Sequence, residues 1–464
     1  MKGFRHLHLL PASLFVVCCL VSMTQEGLAQ RTVSIKDALL LVQSQQPQLT
    51  AYKEQAAAAE HTISIAKNTL MPDITAGYQA GFATYNNITG MSYPGLILPI
   101  SGPPSAGNTY DPVPGTALTA LVKWNPLTFG QRQASIEKAT AQFKLANNYY
   151  NEALFRHQYT VIAVYLDAVY LRKLVQSYQS AVSRSETGLQ QSLVYAQQGL
   201  RPGIDTTQFQ AALAQATSDL LLIQRQYYAR VTELTRLTGI PEEPDKISLS
   251  DTLIINQLPA ITDTAVVAAN HPLFQYYQAK KTATEAALKE IQRSWRPRLD
   301  LWANAYARGS GVAADGSVHP SDGWSLTRSN YGAGVQISFP LLQFSQVNLQ
   351  KKQYASLVKA DEAQLSQVAL DLQKQRQTAQ FNYRQNILIA NQSIIQSQSA
   401  SYAFDGLKLS YNTGLIDFTR LMQGQYDLLK AETGKADAYL QAWHALLDIA
   451  VANGNLDEFI NKMK

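Results

Sequence analysis

The sequence predicts a mostly α-helical α+β protein, built from a duplicated strand pair and two long antiparallel helical hairpins. Three observations lead there. The two halves repeat one order of prolines, alternating runs and glycines. Residues 131–198 and 346–412 lack proline and hold one glycine each apart from their ends, Gly188 and Gly406. Each of these stretches closes on the same order of Tyr, Gly, Leu and Asp, "YAQQGLRPGID" (195–205) and "YNTGLID" (411–417).

Residues 1–29 read as a signal peptide. Lys2 and Arg5 precede an apolar run from Leu9 to Val21, and Gly27 and Ala29 supply small residues for cleavage. That run of 13 residues is too short to span a bilayer as a helix. Both cysteines, Cys18 and Cys19, lie inside it. Lipid modification of Cys19 is the alternative, but "FVVC" lacks the usual small residue. Cleavage after Ala29 leaves a chain starting at Gln30 without cysteine, which excludes disulfides and thiolate metal sites. It lowers the formal net charge from +5 to +4, and no basic run supports a nucleic-acid partner. No apolar stretch of 18 residues follows, so any membrane crossing has to be made with strands.

The first repeat is expected over 30–241, a connector over 242–263, and the second repeat over 264–464. Pro47 and Pro72 are 25 residues apart, as are Pro272 and Pro297. "WNPLTFGQ" (124–131) answers "SFPLLQFSQ" (338–346), and Gly239 and Gly454 close the last long helix of each half. A period above 200 residues indicates a duplicated domain, not a solenoid.

Each half opens with a helical pattern of about 25 residues and then alternates strictly. Ile74, Ala76, Tyr78, Ala80 and Phe82 oppose Thr75, Gly77, Gln79 and Gly81. Leu118, Ala120, Val122 and Trp124 oppose Thr119, Leu121, Lys123 and Asn125. In the second half, Leu299, Leu301, Ala303 and Ala305 oppose Asp300, Trp302, Asn304 and Tyr306. Tyr331, Ala333, Val335, Ile337 and Phe339 oppose Gly332, Gly334, Gln336 and Ser338. An ordinary half-buried sheet gives this pattern too. Runs of about 9–13 residues, aromatics near their ends, and Gly/Pro/Ser/Asn-rich loops over 86–115 and 309–329 favour membrane strands.

The proline-free stretches predict helices on the order of 100 Å long. Val161, Val164, Ala168, Leu171, Val175, Tyr178 and Val182 step by threes and fours, a coiled-coil seam, while the second long helix keeps such a seam only in patches. Gly199 and Gly414 are expected to end these helices in a left-handed cap. Asp205 and Asp417 are expected to N-cap the returning helices, 205–238 and 417–452.

Enzyme chemistry finds no foothold. The histidines His61, His157, His271, His319 and His444 show no metal-ligand spacing, and no phosphate loop or nucleophile elbow appears. His444 and Asp448, four apart on one helix, read as a surface pair. No catalytic residue, metal or cofactor is expected.

The duplication, the strand pairs, the strand-to-helix transitions at Pro126 and Pro340 and the Gly-Leu tips together resemble the TolC family of outer-membrane efflux channels, over nearly all of the mature chain. The resemblance implies a homotrimer, in which three chains each give four strands to a twelve-stranded β-barrel among outer-membrane lipids. It implies a hollow periplasmic α-helical tunnel below the barrel, girdled by an equatorial region to which the connector and the C-terminal tail after Gly454 belong. The family's tips carry a Val-Gly-Leu motif that meets a periplasmic adaptor (membrane fusion protein). Here Gly199, Leu200, Gly414 and Leu415 match it, with polar Gln198 and Thr413 in place of valine. Carboxylates six and nine residues past the second-tip glycine form the family's periplasmic constriction. Arg420 and Gln423 stand there in this chain, with Asp417 and Asp205 as the nearest acids. The implied function is export from an adaptor and inner-membrane pump to the outside. Type I protein secretion and a non-transport periplasm-spanning coiled coil stay open as alternatives.

Overall fold

The computed structural model describes residues 31–86, 105–200, 202–251, 254, 256–260, 270–340 and 343–463. The signal segment with Cys18 and Cys19, most of the 86–115 loop, and connector residues 252, 253, 255 and 261–263 lie outside the described residues.

The first repeat forms β1 (Arg31–Val33), α1 (Ile35–Gln45), α2 (Pro47–Asn68), β2 (Asp73–Ala83), β3 (Val113–Leu127), α3 (Gln131–Gln197) and α4 (Gly203–Thr238). The connector holds a short strand, β4 (Ile247–Leu249). The second repeat forms α5 (Pro272–Arg293), β5 (Arg298–Ser310), β6 (Arg328–Ser338), α6 (Phe344–Asn412), α7 (Phe418–Asn453) and α8 (Asp457–Lys462). Two compact units divide the chain, and each draws on both repeats: Met1–Thr50, Ala153–His271 and Leu370–Lys464 in one, Ala51–Glu152 and Pro272–Ala369 in the other.

The sheet unit holds one four-stranded antiparallel sheet in the order β2-β3-β5-β6. Its register turns the sequence alternation into faces. Ile74, Val122, Ala303 and Ala333 form one cross-strand row, and Ala76, Ala120, Ala305 and Tyr331 the next. The other face carries Thr75, Leu121, Asn304 and Gly332 in one row and Asp73, Lys123, Trp302 and Gly334 in another. β3 bulges between Trp124 and Leu127, where Pro126 sits; a proline has no N–H for a ladder and is tolerated at such a bulge. Among the described residues β2 and β6 each have one strand neighbour, which leaves both sheet edges open. Ile74, Tyr78 and Phe82 on β2 and Tyr331, Val335 and Ile337 on β6 are exposed apolar side chains.

Where β3 turns into α3, Phe129 has φ +46°, and arginines hold the carbonyls around it. Arg296 donates to Phe129 O at 2.8 Å, Arg293 to Gly130 O at 3.1 Å, and Arg132 to the carbonyls of Asn125 and Pro126. Ion pairs Lys138–Glu290 (2.8 Å) and Lys289–Glu137 (2.5 Å) tie α3 to α5. Lys289 lowers the Glu137 carboxyl below its usual range. These pairs are partly exposed and fix alignment more than they stabilise.

In the other unit β1 and β4 pair in parallel, so the connector is held by the first strand of the chain. Ser34 caps α1 with a capping box, and the apolar stripe Ile35, Ala38, Leu39, Val42 is buried. Tyr165 is fully buried, and its hydroxyl donates to Asp251 Oδ2 at 2.8 Å. Burial, with Asp251 beside it, raises the phenol pKa well above its usual range. Trp443 donates to Gln257 O at 3.0 Å and meets Phe459 of α8 edge-on at 6.0 Å. Gly239 and Gly454 cap α4 and α7 with φ of 74° and 72°.

The seam expected on α3 is buried at Val161, Val164, Ala168 and Leu171 and then passes to small residues, Leu174 leading to Ser177, Ala181, Ser185 and Ser192. His444 and Asp448 are not a surface pair. Both are half-buried, and His444 Nε2 meets Asp167 Oδ1 at 3.0 Å because α3 packs beside α7. Burial raises the Asp448 carboxyl above its usual value, with His444 opposing.

Candidate functional site

The two turns that return the long helices share one geometry. Gly199 has φ +71° and Gly414 φ +84°, a conformation that costs an L side chain about 1 kcal/mol or more. Leu200 N donates to Tyr195 O at 2.8 Å and Gly199 N to Ala196 O at 3.1 Å. Leu415 N donates to Ser410 O at 2.9 Å and Gly414 N to Tyr411 O at 3.0 Å. These paired bonds are a Schellman cap, which satisfies the last carbonyls of each helix. Leu200 and Leu415 extend from the turns and are largely exposed.

The returning helices start differently. Asp417 N-caps α7, its carboxylate accepting from Arg420 N at 2.9 Å. Asp205 does not cap α4. Pro202 takes that place, the helix starts at Gly203, and Asp205 is its third residue and buried. The Pro202-Gly203 insertion explains the difference, because proline's fixed φ suits the entry to a helix. Asp205 Oδ2 instead accepts from the Tyr411 hydroxyl at 3.0 Å, joining one tip to the other.

An apolar cluster surrounds that bond: Phe209, Phe404, Tyr411, Leu421 and Leu428 are buried together. Phe209 meets Phe418 edge-on at 4.6 Å and Tyr411 at 6.0 Å. The Phe209 ring fills the space a side chain at Gly188 would take; a Cβ there would lie 2.8 Å from Phe209 Cδ1. Further along, buried Gln425 donates to Ser185 Oγ at 2.9 Å, and Arg184 pairs with Glu432 at 3.5 Å.

Arg420 and Gln423 lie on an exposed part of α7, and Gln423 donates to Asp427 Oδ1 at 3.0 Å. Among the described residues neither Asp205 nor Asp417 forms an ion pair with the Arg420 guanidinium; both are engaged elsewhere. Among the described residues no group of His, Cys, Asp and Glu could hold a metal ion, and no helix is long and apolar enough to cross a membrane.

The outer membrane efflux protein family model matches residues 38–240, which span α1 through the long hairpin of the first repeat. Over those residues the chain is similar to outer membrane efflux proteins. Comparison of its sequence with curated proteins finds no match. Its fold is that of solved outer-membrane channels. The outer membrane protein VceC from Vibrio cholerae is 15% identical with a TM-score of 0.69, over 91% of this chain and 96% of that one. The CmeC outer membrane channel of Campylobacter jejuni is 11% identical, TM-score 0.70, over 92% and 89%. The open state of the MtrE outer membrane channel of Neisseria gonorrhoeae is 14% identical, TM-score 0.67, over 91% and 89%.

In this chain the geometry brings Asp205 to Tyr411 and leaves Leu200, Leu415, Arg420 and Gln423 exposed. The sequence singles out Tyr411 in the tip motif and Gly188 as the lone glycine of α3 without giving either a role, and it does not single out Phe209.

Proposed function

We propose that three copies of this chain close a twelve-stranded barrel in the outer membrane and continue below it as a hollow helical tunnel in the periplasm. The tips receive a periplasmic adaptor coupled to an inner-membrane pump, and solutes leave the cell through the assembly. The observation that carries this reading is the four-stranded sheet with two open edges and an exposed apolar face. Open edges are not tolerated in lipid, and four strands are too few to close a barrel, so further copies must supply the remaining strands.

The long helices support the same assembly. Phe381, Leu388, Ile395, Tyr402 and Leu409 of α6 recur every seventh residue, and each is more than half exposed. A heptad stripe of this kind is the seam of a helix that packs on another helix. A non-transport coiled-coil protein would use such a stripe but has no use for the sheet.

Cross-linking of detergent-extracted protein is expected to saturate at a trimer, and the purified trimer to conduct ions in planar bilayers. A stable monomer soluble without detergent overturns the proposal.

A further inference from the structure

At one end of the sheet two arginines stand side by side. Arg308 of β5 and Arg328 of β6 are cross-strand register partners, which sets their Cβ atoms about 5 Å apart. Both are exposed. They alternate in phase with Asn304, Tyr306 and Asn330, and so belong to the polar face. Like charges directly opposite destabilise a sheet. The fold gains nothing from this pair.

Among the described residues no carboxylate relieves it. The same cross-strand row continues through Ala117 to Gln79. Asp300, on the same face, is eight positions along β5, about 27 Å away, and accepts from Ser338 Oγ at 3.3 Å. The loop segment 87–104 contains neither Asp nor Glu. The segment after β5 folds over the other face: Thr116, buried and in the apolar phase of β3, donates to Gly323 O at 2.9 Å, and Trp324 packs edge-on against Phe82 at 5.4 Å. Asp315 is held in its own turn by Ser317 N (3.0 Å) and Ser317 Oγ (2.6 Å). Among the described residues neither Arg308 nor Arg328 forms an ion pair with Asp111, Asp315 or Asp322.

We propose that Arg308 and Arg328 form an oxyanion-binding site that takes the phosphate groups of solutes passing through the channel. The proposal rests on the barrel reading above, which turns the polar face to the lumen and gathers three such pairs into one ring. Two adjacent guanidiniums present planar donor forks that match a phosphate in bidentate fashion, and the anion removes their mutual repulsion.

Inorganic pyrophosphate is the probe, titrated by calorimetry into the full-length protein in detergent micelles. Wild type is expected to bind it saturably, and more weakly as salt is added. The double variant R308Q/R328Q is expected to bind at least tenfold more weakly. R298Q, which removes one cation from the far end of the same strand, is expected to bind as wild type does. Equal binding by wild type and the double variant overturns the site. Lipid A added to the micelles is expected not to compete; competition would mean that the pair faces lipid headgroups and would overturn the lumenal assignment. A bilayer recording separates the two readings. Protein that binds pyrophosphate but never conducts overturns the channel and the lumenal cargo with it. Protein that conducts, with a current that pyrophosphate blocks equally in both forms, overturns only the site.

Discussion

The Tyr411 hydroxyl donates to the buried Asp205 carboxylate at 3.0 Å, across 206 positions of sequence. A hydrogen bond to a charged group contributes about 1.5–3 kcal/mol, and leaving a buried acceptor without its partner costs about 1–3 kcal/mol, more if it is charged. Tyr411→Phe is therefore expected to loosen both tips. Amide exchange should speed up near 185–210 and 404–425, and resting conductance should rise. Unchanged exchange at both tips would show that the apolar cluster alone holds them.

Two glycines in the long helices are expected to respond oppositely to alanine. Replacing a helical glycine normally stabilises by up to about 1 kcal/mol. Gly406→Ala should do so, since nothing lies within 4 Å of its added Cβ. Gly188→Ala should destabilise by about 1–3 kcal/mol, because the Phe209 ring must move. Thermal unfolding of the two variants, with Gly188→Ala/Phe209→Leu as the rescue, checks the contrast.

Exposed Leu200 and Leu415 crown two turns of the same geometry. Leu200→Asp/Leu415→Asp is expected to abolish export and cross-linking to the adaptor while the trimer still assembles. Normal transport by this variant would place the docking surface elsewhere.

The Arg420 guanidinium has no acidic partner among the described residues. In a narrow pore a ring of such cations repels cations. Arg420→Ala should raise resting conductance and shift the reversal potential under a salt gradient toward cation preference. The shift should shrink at high salt through screening. No change in either quantity would remove Arg420 from the constriction.

Burial holds the His271 imidazole below its ordinary value of 6.5, with the hydrogen bond to Val451 O (3.0 Å) opposing. Below that value the unfolded chain binds a proton that the folded chain resists, so stability rises with pH through this window. The contribution is complete above about pH 6.5 and declines beneath it. The thermal midpoint is expected to fall between about pH 7.5 and 5.5, and His271→Gln to flatten that slope. An identical slope in the variant would assign the pH dependence to other groups.

The sequence by itself determined the elements. Pro47, Pro72, Pro272 and Pro297 bracket the short helices, period-two alternation marked four strands and their faces, and Gly199 and Gly414 marked the tips. All of these depend on backbone torsions and hydrogen bonds within a few residues, which local composition controls. Only the tertiary structure decided what the side chains at those elements meet. The local pattern allows Asp205 as an N-cap, yet Pro202 precedes the helix and the carboxylate turns to Tyr411. Spacing pairs His444 with Asp448, yet its hydrogen-bond partner is Asp167, 277 positions away. Ser177, Ala181, Ser185 and Ser192 line a buried seam that no hydrophobic pattern announces, because small side chains are buried by the closeness of a neighbouring helix and not by their own apolarity. Which helix lies beside which, and in what rotation, sums many weak contacts between distant segments, and no short window of sequence contains that sum.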